Sequence, residues 1–160
     1  MIGSPMAGMG MFDDQSFIVM MIEHHQAAID MATIAQGRAE HPEIKQLAQD
    51  IIAAQQREID QMQQWQQAWF GTATPTMGHS MSNQQMGMDM DVDALKTAQP
   101  FDKAFIDAMI PHHQGAIMMA QQILQTTQRP ELKELAQNII SAQEGEIAEM
   151  QEWRKAWYGQ

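Results

Sequence analysis

The chain has 160 residues, with 9 Lys and Arg against 20 Asp and Glu and a formal charge of -11. A chain of this length buries one proper core or two small ones, and this charge repels nucleic acid and anionic membrane alike. Cysteine is absent while methionine numbers 17, which excludes disulfide and thiolate chemistry and leaves an excess of thioether sulfur to be explained.

Residues 1–11 carry Met6, Met9 and Met11 among Gly, Ala and Ser and read as a flexible segment. They show neither the basic start nor the apolar run of a signal peptide. Nowhere does the chain approach the roughly 20 uninterrupted apolar residues of a spanning helix, so membrane insertion is not expected. Residues 12–71 then recur as residues 100–160. Shifted by 88 positions, 17–71 lies on 105–159 without a gap, with 29 identities in 55 positions. That period is too long for a solenoid and indicates two copies of one supersecondary unit.

Each copy reads as a helical hairpin. Phe17, Met21, His24, Ala28 and Met31 share one helical face, and Leu47, Ile51, Glu58, Met62, Trp65 and Trp69 follow the same period. Pro42 and Pro130 stand where a second helix begins, and Gly71 and Gly159 stand where it ends. Period-2 alternation is missing, so no strands are expected. Two hairpins with wet apolar stripes pack together, which predicts an all-α, antiparallel four-helix bundle with helices of about 25 residues, roughly 35–40 Å each. Pro111, where the first copy has Glu23, predicts a kink or local break in the third helix. The four Trp side chains, with Phe70 and Tyr158, fall near helix ends and read as core or subunit interface rather than a ligand cage.

Between the copies, residues 72–99 form a Met- and His-rich linker bearing Met77, His79, Met81, Met86, Met88 and Met90 in a polar, Gly- and Gln-rich setting. Packing does not account for apolar thioethers there, because such segments stay at the surface. Thioether sulfur is a soft, neutral ligand that selects Cu(I) and, by the same softness, Ag(I); imidazole suits copper, zinc and nickel. Met86, Met88 and Met90 could wrap one ion, and Met77-x-His79-x-Met81 adds an imidazole. A linker with incidental methionines is the plain alternative.

The histidine pairs carry the sharper signal. His24-His25 and His112-His113 occupy equivalent positions, preceded by Met21 and Met109. Adjacent helical residues diverge by about 100°, so one ring of each pair faces its hairpin partner and the other flanks it. If the turn centres near His41, position 24 or 25 is level with 57 or 58, and Met21 with Met62. One hairpin then gathers Met21, His24 or His25, Glu58 and Met62; the other gathers Met109, His112 or His113, Glu146 and Met150. Met31, Met118 and Met119 lie one to two turns nearer the loop. Each hairpin is expected to carry its own complete donor set. Histidines hydrogen-bonded in a core, with methionines as packing, form the competing reading. A di-iron centre is disfavoured because its Glu-x-x-His motif is absent, and no Ser stands near the histidines for nucleophilic chemistry.

The motif MIPHHQGAI, followed by PELKELAQNIISAQEGEIAEM and WR, strongly resembles the domain of unknown function found in CopM-like bacterial copper-resistance proteins. Both copies look like this domain, over roughly 120 of the 160 residues, although the first has IEHHQAAI in place of IPHHQGAI. The resemblance implies a ferritin-like bundle, periplasmic or secreted, that binds copper through Met and His and lowers its toxicity. It carries a ligand role onto His24, His25, His112, His113 and the nearby methionines. Export agrees with zero cysteine, since thioethers resist oxidation better than thiols.

Three classes follow from these residues. The leading one is a non-enzymatic protein that sequesters or traffics Cu(I) and Cu(II), taking Ag(I) as a surrogate. The second is a copper-dependent oxidase working at the His/Met/Glu level, and the third is a purely structural helical module. Metal ions are the expected partners; a homo-oligomer and a copper-delivery protein are the options left open.

Overall fold

In a computed structural model, residues 13–71, 88 and 91–159 are described. Four helices account for nearly all of them: α1 (Asp14–Arg38), α2 (Pro42–Phe70), α3 (Phe101–Thr126) and α4 (Pro130–Tyr158). No strand occurs among the described residues. The chain is an all-α four-helix bundle, as the two apolar-striped hairpins require.

Local signals set the helix ends. The Asp13 side chain accepts a hydrogen bond from the Ser16 backbone N–H at 2.7 Å, which satisfies one of the orphan donors of α1. Pro42 and Pro130 occupy the first turns of α2 and α4, where a missing N–H costs nothing. Gly71 and Gly159 stop those helices with φ of 61° and 77°, values that side chains with a Cβ adopt only under strain. Of the kink or local break expected at Pro111, the break does not occur: α3 runs through it as one helix. Packing on the buried flanks of the proline, at Met109 and His112, holds the turns together despite the lost hydrogen bond. A short 3₁₀ helix, Val92–Lys96, closes the end of the linker, and its Leu95 is buried. The periodicity had given no sign of it.

α1 pairs with α2 and α3 with α4, and the hairpins meet along α1 and α3. The core divides into two clusters that are images of each other under the repeat. One holds Phe17, Met21, Met62, Met119 and Ile139; the other holds Phe105, Met109, Met150, Met31 and Ile51. Each combines the start of one copy's first helix with the end of the other's, so the hairpins are related by a pseudo-twofold axis between α1 and α3. Fully burying such side chains contributes about 1.5–3 kcal/mol each.

Polar clasps hold the hairpins together at the bundle ends, and each takes residues from both copies. Asp14 of the first copy pairs with Arg129 of the second at 3.2 Å, and the Arg129 guanidinium lies 4.1 Å over the Trp69 ring. At the equivalent place, Asp102 of the second copy meets the His41 ring of the first, which stacks on Trp157 at 3.6 Å between ring centres. Asp102 is fully buried and also accepts the Glu40 and His41 backbone N–H groups at 3.0 and 2.8 Å. Trp69 and Trp157 are therefore half-buried members of the clasps, and Trp65 and Trp153 stack on them at 5.2 and 5.7 Å between ring centres.

Asp102→Ala strands two backbone donors and a ring nitrogen, so it is expected to lower stability by about 2–3 kcal/mol in urea unfolding. Asp14→Ala breaks a partly exposed pair and should cost less than about 1 kcal/mol. Equal losses would show that the two clasps are energetically alike and that burial is not what separates them.

Candidate metal centre

The helical offset between adjacent residues builds the site. His24, His25, His112 and His113 are all at most 1% exposed, although their neighbours on the outer face are in solvent. His25 turns toward its hairpin partner, with Nε2 2.7 Å from Glu58 Oε1; His113 does the same, with Nε2 2.8 Å from Glu146 Oε1. The other member of each pair turns toward the opposite hairpin. There the His24 and His112 rings stack, 3.6 Å between centres and 27° between planes, at the pseudo-twofold axis.

This stacking changes the expected organisation. The sequence spacing gives each hairpin a complete and separate donor set, but the rings not facing α2 or α4 meet each other, because α1 and α3 form the seam between the copies. The methionines are exchanged as well. Met119 packs in the cluster with Met21 and Met62, and Met31 in the cluster with Met109 and Met150, so each end draws a thioether from the other copy. All six are fully buried.

Burial and its neighbours keep the His112 imidazole neutral. His112 is held well below its ordinary 6.5, first by burial and then by repulsion from His24, His113 and His25. Both ring nitrogens of His112 lack a hydrogen-bond partner, as does Nδ1 of His25 and of His113. Buried polar atoms are nearly always satisfied, so several imidazole nitrogens without hydrogen-bond partners in one layer are exceptional. No three His, Asp or Glu side chains converge into a ready cage among the described residues. The donors on offer are therefore imidazole and thioether, which fit a soft or borderline ion and not Mg(II) or Ca(II).

Glu58 and Glu146 are about one-fifth exposed and lead from the histidine layer to solvent. A groove of about 620 Å³ between α2 and α4, lined by Arg57, Glu58 and Asp60 with Leu135, Asn138 and Ala142, opens onto Glu58. Met118 points outward at 40% exposure and stands apart from the buried sulfurs. Met88 packs half-buried against the Met21 cluster. Met77, His79, Met81, Met86 and Met90 lie outside the described residues. Sequence reasoning missed Met20, buried beside Met21, and the buried Gln55 and Gln143, whose Oε1 atoms lack partners. The two glutamines are repeat equivalents one turn before Glu58 and Glu146, and their identity in both copies was the available signal.

The fold and sequence have close counterparts. CopM in its Cu(I)-bound form is 49% identical, with a TM-score of 0.81, over 92% of this chain and 99% of that one. CopM in an Ag-bound form is 48% identical, with a TM-score of 0.81, over 92% and 98%. A DUF305 fragment from Deinococcus radiodurans is 31% identical, with a TM-score of 0.73, over 87% and 94%. An uncharacterised protein of Acanthamoeba polyphaga mimivirus is 47% identical over 49 residues, and the matched segment is about a third of that relative's length, 32%. The family described as Domain of unknown function (DUF305) matches residues 14–154, and the chain belongs to it.

Proposed function

We propose that this protein binds copper as cargo, holding Cu(I) mainly on methionine sulfur and Cu(II) more on imidazole, and that it serves copper sequestration or delivery without catalysing a reaction. One observation carries the reading: His112 is buried with neither ring nitrogen partnered, stacked on His24 in a layer flanked by buried thioethers. A structural module gains nothing from such a layer, since each unpaired buried polar group costs about 1–3 kcal/mol. CopM, to which the chain is similar over nearly its whole length, has been solved with Cu(I), Cu(II) and Ag bound. We place the protein in the periplasm or outside the cell, where thioethers outlast thiols; no described helix is long and apolar enough to cross a membrane.

The ligands we assign are His24, His25, His112 and His113, with Met21, Met62, Met119, Met31, Met109 and Met150. Glu58 and Glu146 orient the outer imidazoles through Nε2, as carboxylates do for metal-binding histidines elsewhere. Because His24 and His112 share one layer, the two copies act on a common centre.

Competition titration of the full chain against a Cu(I) chelator is expected to give stoichiometric uptake. His112→Ala should weaken the affinity at both ends of the bundle by roughly ten- to a hundredfold. Loss confined to one copy would mean that the layer is not shared, and no uptake at all would end the copper reading. Catalytic oxygen consumption on adding Cu(I) would replace the buffer by an oxidase.

The sign of the pH effect follows from His112. In the unfolded chain it takes a proton near 6.5, while in the fold burial and the neighbouring histidines keep it neutral to lower pH. The unfolded state thus binds more protons below about 6.5, so the metal-free protein should lose stability as pH falls through that value. His112→Gln should flatten the decline measured by denaturant melts between pH 7 and 5. Ion binding at this ring should persist to lower pH than binding at an ordinary imidazole.

A further inference from the structure

The two copies are equal in their buried donors and unequal at their openings to solvent. Glu58 and Glu146 are each hydrogen-bonded to a buried histidine and exposed to the same degree, 22% and 21%, so the exposure of the two carboxylates does not separate them. Charge does. Over residues 54–64 the first copy carries Arg57, Glu58 and Asp60, two carboxylates beside one permanent cation, and Arg57 lines the same groove as Glu58. Over the equivalent residues 142–152 the second carries Glu144, Glu146, Glu149 and Glu152 with no cation. Glu149 stands one turn beyond Glu146 on the same helical flank, where the first copy has the neutral Gln61.

The residue replacing Arg57 is Gly145. Packing does not require it, for a Cβ there would meet nothing within 4 Å. An exposed glycine in mid-helix costs about 1 kcal/mol relative to alanine. Its effect on the opening is to remove both the cation and any side chain beside Glu146. Behind Glu146 lies His113, whose Nδ1 is buried and unpartnered, and then His112 with two unpartnered nitrogens. The acidic flank therefore leads to vacant donors.

Resting on the copper-cargo reading, we propose that the metal cation enters the bundle through the second copy, beside Glu146, and that Arg57 keeps the equivalent opening at Glu58 the slower one. A cation approaching the Glu146 side meets Glu146, Glu149 and Glu152 along one flank of α4, and one approaching Glu58 meets two carboxylates with the Arg57 guanidinium beside them. Fields of this kind change association rates by factors from about 10 upward when a whole cleft contributes, and they are screened over about 8 Å at physiological ionic strength. The asymmetry is thus one of rate, leaving the capacity of the shared centre unchanged.

Stopped-flow mixing of the full chain with Ag(I) nitrate, read by an indicator for the free ion, tests this alongside equilibrium stoichiometry. Gly145→Arg should slow association about three- to tenfold at low ionic strength, with stoichiometry intact and the difference gone near 0.5 M salt. Glu149→Gln should slow it in the same direction without touching the glycine, which guards against a helix effect of the first variant. Arg57→Gly should raise the total rate by no more than about twofold, because it opens a second entrance beside one already fast. Rates within error of the parent for both Gly145→Arg and Glu149→Gln, at full stoichiometry, overturn the entrance and leave the cargo reading standing. A larger gain from Arg57→Gly than the loss from Gly145→Arg assigns entry to the first copy and overturns it equally. A parent chain that takes up no Ag(I) at equilibrium defeats the cargo reading itself.

Discussion

Everything in this bundle depends on the packing of α1 against α3 at the pseudo-twofold axis. That contact places the His24 ring on the His112 ring and buries four imidazoles in one layer. A layer of charged histidines could not survive there, since like charges at such spacing and burial repel strongly. The His112 ring is kept neutral, and a neutral imidazole with an unused lone pair is the form that binds a metal. Packing and the protonation state of His112 are here consequences of a single contact.

The same symmetry organises the polar and soft donors around that layer. Outward from the axis, His25 and His113 reach carboxylates that open to solvent. To either side of the layer, toward the two ends of the bundle, thioethers fill two clusters, each holding one methionine lent by the other copy. Methionine suits both duties, because an unbranched, polarisable side chain packs densely and still presents sulfur. The clasps at the bundle ends, Asp14 with Arg129 and Asp102 with His41, tie the copies across the same axis. Separating the hairpins would therefore undo the clasps and the histidine layer together.

Duplication has left room for divergence where packing does not constrain it. Buried positions such as Phe17 and Phe105, or Met62 and Met150, match between copies, because both clusters must fill the same volume. Some exposed ones do not: Arg57 is replaced by Gly145, and Gln61 by Glu149. One histidine layer can thus present two electrically different faces to solvent.

Periodicity, the prolines at 42 and 130 and the glycines at 71 and 159 sufficed to give the helices, their ends and the hairpin pairing, because these are local properties written within a few residues. Level arithmetic about the turn at His41 also put Glu58 opposite the first histidine pair and Glu146 opposite the second. Which ring of each pair faces the carboxylate, and that the remaining rings meet, could not be read locally. Those facts depend on the angle and register at which α1 packs on α3, a contact between residues 88 apart that no spacing within one copy encodes. The same contact moved Met31 and Met119 into each other's clusters and turned Met118 outward. Gln55 and Gln143 are identical in the two copies, but only the packing of the helices decided that they are buried. The sequence by itself determined the unit and its donors; tertiary structure decided how two units share them, because the apolar seam that joins the hairpins is completed only when both copies are present.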